Sequence, residues 1–305
     1  MRLGIVLDYT LQLEDQLRQV EEAEADGLDT AWSLHILQSG LDALTLLALA
    51  GRRTERIELG TAVVPIYPYH PLALAGHAMT TQVACGGRLT LGIGVSHQPV
   101  VEDVLGESWR PPARYMREYL SVLLPLIRGG EVDFTGGILR VKARYQVPGG
   151  TSMPVLLAAL GPAMLRLAGE TADGTITWMA GPRVLETEII PSLMRAATGR
   201  PAPRVCAALP IAVTDDPDEA LARAADRFRH YATRPSYRRL LNLEGVAGPE
   251  GIAIVGNEAE VERRLRALAD IGVTDFAAIL FPAADDPATS TARTRELLRG
   301  LAARA

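Results

Sequence analysis

Residues Pro154–Trp178 read PVLLAALGPAMLRLAGETADGTITW. An uninterrupted apolar run, Val155-Leu156-Leu157-Ala158, leads through Gly161-Pro162 into a helical stretch. Gly174 then opens a second apolar run that ends at Thr177-Trp178. Continuous apolar runs, rather than alternating ones, mark strands covered on both faces, as in parallel sheets. Strand, helix and strand in so short a span form one unit of an alternating α/β chain.

The same rhythm extends in both directions. Further strands are predicted at Leu3–Leu7, Asp29–Ser33, Ile57–Val64, Leu89–Val95, Val205–Val213 and Phe276–Phe281. Helices are predicted at Leu13–Ala25, Leu41–Ala50, Pro71–Ala84, Arg114–Ile127 and Glu258–Ile271, most of them followed by a stopping glycine. Eight strands with helices after nearly all of them favour a (β/α)8 TIM barrel over an open doubly wound sheet. A barrel with insertions accounts for residues 1–305 as one domain. Ser96–Ala113, Gly129–Met153 and Tyr231–Ile254 exceed ordinary loops. The second, with Gly136-Gly137 between alternating pieces, suggests a small hairpin. The third carries Pro235 and Pro249 and reads as a lid or a mobile loop over the C-terminal face.

Composition narrows the function. Hydrophobic residues make up 48% of the chain and the net charge is -5, with arginines interleaved among acids, which argues against a nucleic-acid partner. No stretch reaches the ~20 apolar residues of a membrane span, and the start lacks a signal-peptide cleavage region. Cys85 and Cys206 share no motif and the five histidines form no HExxH, so neither a disulfide scaffold nor a metal site is expected. Cytoplasm is the default compartment. Gly92-Ile93-Gly94 lacks the third glycine of a dinucleotide loop, position 97 being His.

Residues at strand exits remain, where barrels place their chemistry. His35 follows the second strand, either as a satisfied polar group or as a proton donor over a bound ring. Tyr67 and Tyr69 precede Pro71 and either line a pocket or belong to a helix-starting turn. Gly161 before a helix suits an anion without any Lys or Arg, although on this segment alone a plain strand-to-helix turn is the favoured reading. Thr177 and Trp178 leave the sixth strand toward the same face.

Taken together, Arg56–Pro65, His70–Ala75, Gly86–Val95, Arg114–Leu120 and Ala168–Gly174 resemble the luciferase-like monooxygenase family, in particular its coenzyme F420-dependent oxidoreductase branch. The resemblance implies that His35 is catalytic, with Leu34 where an acidic residue often stands, and that Tyr9 is an alternative proton donor. It implies a cis peptide at Ala62-Val63 behind the ring system, ring and ribityl contacts from Gly94, Val95 and Ser96, and a phosphate loop at Ala159, Leu160 and Gly161. Thr177 joins these cofactor residues. Asp8, Tyr67, His97, Trp109 and Trp178 are expected to line the substrate pocket. The implied function is hydride transfer between reduced F420 and a small organic molecule with an activated C=C or C=N bond. An FMN-dependent monooxygenase and a non-catalytic flavin-binding barrel are the alternatives. A homodimer is the implied assembly.

Overall fold

Eight short parallel strands form a ring: β1 (Arg2–Val6), β2 (Thr30–Ser33), β3 (Glu58–Thr61), β4 (Leu89–Gly94), β5 (Val155–Ala158), β6 (Gly174–Trp178), β7 (Arg204–Val213) and β8 (Asp275–Leu280). Each pairs with the next, and β8 pairs with β1, so the sheet closes into the (β/α)8 barrel that the alternation predicts. The computed structural model describes residues 1–284 and 286–304. All six residues of β4 and all four of β2 are buried, as strands enclosed between an interior and a helical coat must be.

Inside the ring lies a small core of Trp32, Leu156, Ile176, Cys206, Ala208 and Ala277. Trp32 fills the middle, its Nε1 donating to Thr30 Oγ1 at 2.9 Å. Gly60 makes room for it, because a Cβ there would lie 2.2 Å from the indole ring. The main core lies between strands and helices. Each fully buried Leu or Val in it contributes roughly 1.5 to 3 kcal/mol.

The N-terminal ends of the strands are tied together by charge. Arg204 Nη2 lies 2.6 Å from Asp275 Oδ1 and 2.9 Å from Glu58 Oε1. Arg2 reaches Glu58 at 2.8 Å and Asp275 at 3.3 Å, and Thr90 Oγ1 donates to Glu58 Oε1 at 2.8 Å. Four strand starts and the second residue of β4 are thus bound into one plug at the base.

Helices α1 (Leu13–Ala25), α2 (Ala43–Gly51), α3 (Pro71–Ala84), α4 (Pro112–Ile127) and α5 (Pro162–Thr171) match the sequence reading closely. The exception in register is α2, which starts at Ala43 because the Asp42 carboxylate caps it, accepting from Thr45 N–H at 2.7 Å. The expected strand Ile57–Val64 breaks in two: β3 ends at Thr61, and Val64–Pro65 pairs separately with β4. Between the pieces the Ala62-Val63 peptide bond is cis.

The Gly129–Met153 insertion does contain a hairpin, Glu131–Thr135 against Arg140–Arg144. Its turn is pinned by Glu118 of α4, which accepts from the N–H groups of Gly137, Ile138 and Leu139 at 2.7–3.1 Å. Tyr231–Ile254, read as either a lid or a mobile loop, is largely helical. Pro235 opens a helix, Pro235–Glu244, which ends at Gly245 with φ +84°. Those residues punctuate an element instead of replacing one. Among the described residues, no helix is long and apolar enough to cross a membrane.

Candidate active site

The C-terminal ends of the strands form the opposite, open end of the barrel. Its floor is apolar: Val6, Ala62, Val63, Trp178 and Ile279 are partly buried against the inner core. Gly94 sits beneath Val63, and a Cβ on it would come within 2.8 Å of Val63 Cγ2 and 3.1 Å of Ala158 Cβ. Val95 and Ser96 continue from β4 at this rim. Ser96 holds φ +63° and Met179, at the β6 exit, φ +57°. Non-glycine residues adopt such angles at a cost and chiefly where the surroundings impose them.

Along the rim after β2, four side chains converge. His35 is nearly enclosed, its side chain 8% exposed. Its Nε2 lies 3.4 Å from Tyr69 Oη, and Ala43 N–H points at its Nδ1 at 3.4 Å. Asp42 Oδ2 is 3.5 Å from the same Nδ1 and accepts from Tyr69 Oη–H at 3.3 Å. Asp42 Oδ1 is 3.6 Å from His77 Nε2 on α3. Burial lowers the His35 pKa, Asp42 opposes that shift and His77 adds to it, leaving the ring below the ordinary histidine value. Burial alone would raise the Asp42 pKa. Hydrogen bonds from Thr45 and the neighbouring His35 and His77 outweigh it, so the carboxylate stays ionised.

The insertion after β4 is anchored by a second cluster. Trp109 stacks on Tyr67 with ring centroids 5.6 Å apart and planes 9° from parallel. Tyr67 Oη accepts from Arg110 N–H at 2.9 Å, and the Arg110 guanidinium lies over Tyr115 at 5.0 Å. Tyr67 is 7% exposed, so it holds the segment down more than it lines open space.

A third cluster belongs to the helical insertion after β7. Trp178 meets Phe228 and Tyr231 edge-on, and Tyr231 meets Tyr237, which in turn faces His97 at 5.9 Å. Burial, then Arg234 and His230, push the His97 pKa down to about 4. Trp178 Nε1 is buried without a well-formed hydrogen bond, the Tyr231 hydroxyl approaching it only loosely.

The remaining expected residues fall as follows. Gly161 is the N-cap of α5, and nothing lies within 4 Å of where its Cβ would be. Leu160 O accepts from Arg239 Nη1 at 3.3 Å, so an arginine from the β7 insertion reaches this loop, a cation that local sequence did not offer. Ala159 is fully buried. Thr177 is also buried, its hydroxyl donating to Cys206 O at 3.4 Å and therefore turned into the barrel wall. The Asp8 carboxylate accepts from Thr10 N–H and Oγ1–H in a local turn. Tyr9 packs on Gly40, and the hydroxyl beside His35 is that of Tyr69.

Asp42, His77 and Arg239 were missed from sequence. Asp42 had a readable signal, a capping residue ahead of an apolar run, but starting the helix at Leu41 hid it inside. His77 and Arg239 carried none, since each meets the site only through packing.

Comparison with known proteins agrees with this geometry. The sequence model of the luciferase-like monooxygenases matches residues 1–275. An F420-dependent glucose-6-phosphate dehydrogenase of Mycobacterium avium is 31% identical over 223 residues, 68% of this chain and 66% of that protein. The 5,10-methylenetetrahydromethanopterin reductase of Archaeoglobus fulgidus is 30% identical over 228 residues, 72% and 67% of the two chains. Among solved structures, the coenzyme F420-dependent tetrahydromethanopterin reductase of Methanopyrus kandleri shares the fold with a TM-score of 0.78 at 22% identity, covering 99% of this chain and 97% of that one. The FMN complex of the oxygenating constituent of 3,6-diketocamphane monooxygenase from Pseudomonas putida does so with 0.77 at 16%, covering 99% and 96%. With nine-tenths of its length matched and the barrel closed in the same way, this chain belongs to the luciferase-like monooxygenase family of oxidoreductases.

Proposed function

We propose that the protein is an F420-dependent oxidoreductase that passes hydride between the reduced deazaflavin and a small organic molecule with an activated C=C or C=N bond. The observation that carries this reading is the barrel mouth. An apolar floor of Ala62, Val63, Trp178 and Ile279 has a histidine–tyrosine–carboxylate set on one rim and the open start of α5 on another. These residues fit a flat ring system with an anionic tail. The Gly161 position is clear for close backbone approach, and Trp178 Nε1 is a donor without a good partner. The relatives of 30% identity or more whose names carry F420 support the deazaflavin over FMN.

When bound, the cofactor supplies the hydride; the chain supplies position, dryness and a proton. Gly94, Ala62 and Val63 offer a smooth apolar surface that keeps water off one ring face. The amides at the start of α5, with the helix dipole behind them, hold the phosphate, and Arg239 adds charge beside them. His35 holds a proton at Nε2, since Ala43 N–H points at Nδ1 in the neutral ring. Ser96, Val95 and His97 define the wall nearest the β7 insertion. We also infer that residues 1–305 act as one domain and that two copies assemble as a homodimer.

Titration of the purified protein with oxidised F420 and, separately, FMN tests the reading by fluorescence. Micromolar binding of the deazaflavin is expected. Preference for FMN would turn the reading toward oxygen chemistry, and binding of neither by folded protein would overturn it. With a turned-over substrate in hand, His35→Ala is expected to lower turnover by about a hundredfold or more while F420 still binds.

A further inference from the structure

We infer that Asp42 is a positioning residue for His35, fixing the imidazole through both ring nitrogens and joining it to solvent. The inference rests on the reading that His35 supplies the proton, and it is carried by the geometry of four side chains from three segments.

Position 34 is Leu and offers no carboxylate; the one beside the ring comes from the α2 cap, seven residues after His35. Its two oxygens have different tasks. Oδ1 accepts from Thr45 N–H at 2.7 Å, which locks the carboxylate to the positive end of α2 and keeps it ionised. Oδ2 lies 3.5 Å from His35 Nδ1 and accepts from the Tyr69 hydroxyl at 3.3 Å, while that hydroxyl is 3.4 Å from Nε2. Carboxylate, hydroxyl and imidazole therefore close a ring in which each touches the other two. Both nitrogens are addressed, so the plane of the imidazole is fixed.

Two protonation states are served by this arrangement. In the neutral ring, Nε2–H donates to Tyr69 Oη, Tyr69 Oη–H donates to Asp42 Oδ2, and Nδ1 accepts from Ala43 N–H. In the imidazolium, Nδ1–H turns to Asp42 Oδ2. From the imidazolium, proton delivery breaks the Nε2–H bond, the electron pair stays on nitrogen, the proton goes to the substrate atom, and the ring is left as the Nδ1–H tautomer on Asp42, which returns to the resting Nε2–H form by proton exchange with water. The proton must be replaced from water, and His35 itself is 8% exposed. Asp42 is 32% exposed and His77, 3.6 Å from its other oxygen, 34% exposed, so solvent reaches His35 through them. The groups that face His35 are therefore Asp42 from the α2 cap, Tyr69 from the β3 exit loop and His77 from α3.

The test is a histidine titration on cofactor-free protein, followed by 15N-histidine NMR with His35→Gln to identify the resonance. Asp42→Asn keeps the helix cap and removes the charge. It is expected to lower the His35 midpoint by about one pH unit, and Asp42→Glu to return it toward wild type. Tyr69→Phe is expected to move it less, because the carboxylate remains. In turnover, the alkaline fall of kcat should shift to lower pH by the same interval in Asp42→Asn. An unchanged or raised His35 midpoint in folded Asp42→Asn overturns the inference. Since the titration needs no cofactor, failure to bind F420 would sink the proposed function alone and leave this reading standing on its own measurement.

Discussion

The two ends of the barrel use the same kinds of groups in opposite ways. At the base, Arg204, Asp275, Glu58, Arg2 and Thr90 make contacts mostly of 2.6–2.9 Å, with the Asp275 side chain 1% exposed. At the mouth, His35, Asp42, Tyr69 and His77 stand 3.3–3.6 Å apart and two of them are a third exposed. A saturated network has one arrangement and resists change. A loose one has several of similar energy, which is what a group that gains and loses a proton requires. Barrels commonly divide stability and chemistry between their ends in this manner.

The sharpest way to break the comparison is to remove one charge from each end. Asp275→Ala leaves Arg204 and Arg2 to share the Glu58 carboxylate at the base and is expected to cost about 3 kcal/mol in a urea unfolding curve. A loss under 1 kcal/mol would mean that the base is no more committed than the mouth. A smaller effect is expected on the floor. Gly94→Ala drives Val63 upward and should weaken F420 binding about tenfold, or ~1.4 kcal/mol, measured by fluorescence titration. Unchanged binding would remove Val63 from the ring contact.

Acid should distinguish the ends as well. The unfolded chain protonates His97 near pH 6.5, whereas the folded protein resists until about 4. Stability tied to His97 is therefore full above pH 6.5 and is lost as pH falls toward 4. His97→Phe should show a shallower fall in urea midpoint between pH 7 and pH 4.5, with His35 supplying part of the slope that remains. An unchanged slope would show that the β7 insertion does not bury His97 in solution. The smallest effect belongs to Asp42→Asn, which should change stability by less than about 0.5 kcal/mol because Asn caps as well as Asp. A loss of several kcal/mol would make the mouth network structural, like the base.

Much of the barrel was legible because parallel strands covered on both faces must be apolar throughout. Leu89–Gly94 and Val155–Ala158 announce themselves in this way. The turn at Gly161 was read from the residues themselves, and the cis bond at Ala62-Val63 was reached through resemblance. Tyr231–Ile254 stayed open between an ordered lid and a mobile loop because proline and glycine mark both loops and helix ends, and only the packing of Tyr237, Leu240 and Leu241 says which applies. Thr177 and Asp8 were chosen for position, but where a hydroxyl or carboxylate points depends on the nearest unsatisfied group. Here those groups are Cys206 O and the Thr10 N–H.

By itself the sequence determined the alternation of strands and helices and, through resemblance, the family. The alternation follows from periodicity and local punctuation, which are properties of neighbours in the chain, and the family from the resemblance that the segments around Arg56–Pro65 and Gly86–Val95 carry. Tertiary structure alone decided that Asp42 and His77 meet at His35, that Arg239 reaches Leu160 and that Arg204 closes the base with Glu58 and Asp275. These partners are brought together when the sheet curls into a ring, and no spacing along the chain encodes that distance.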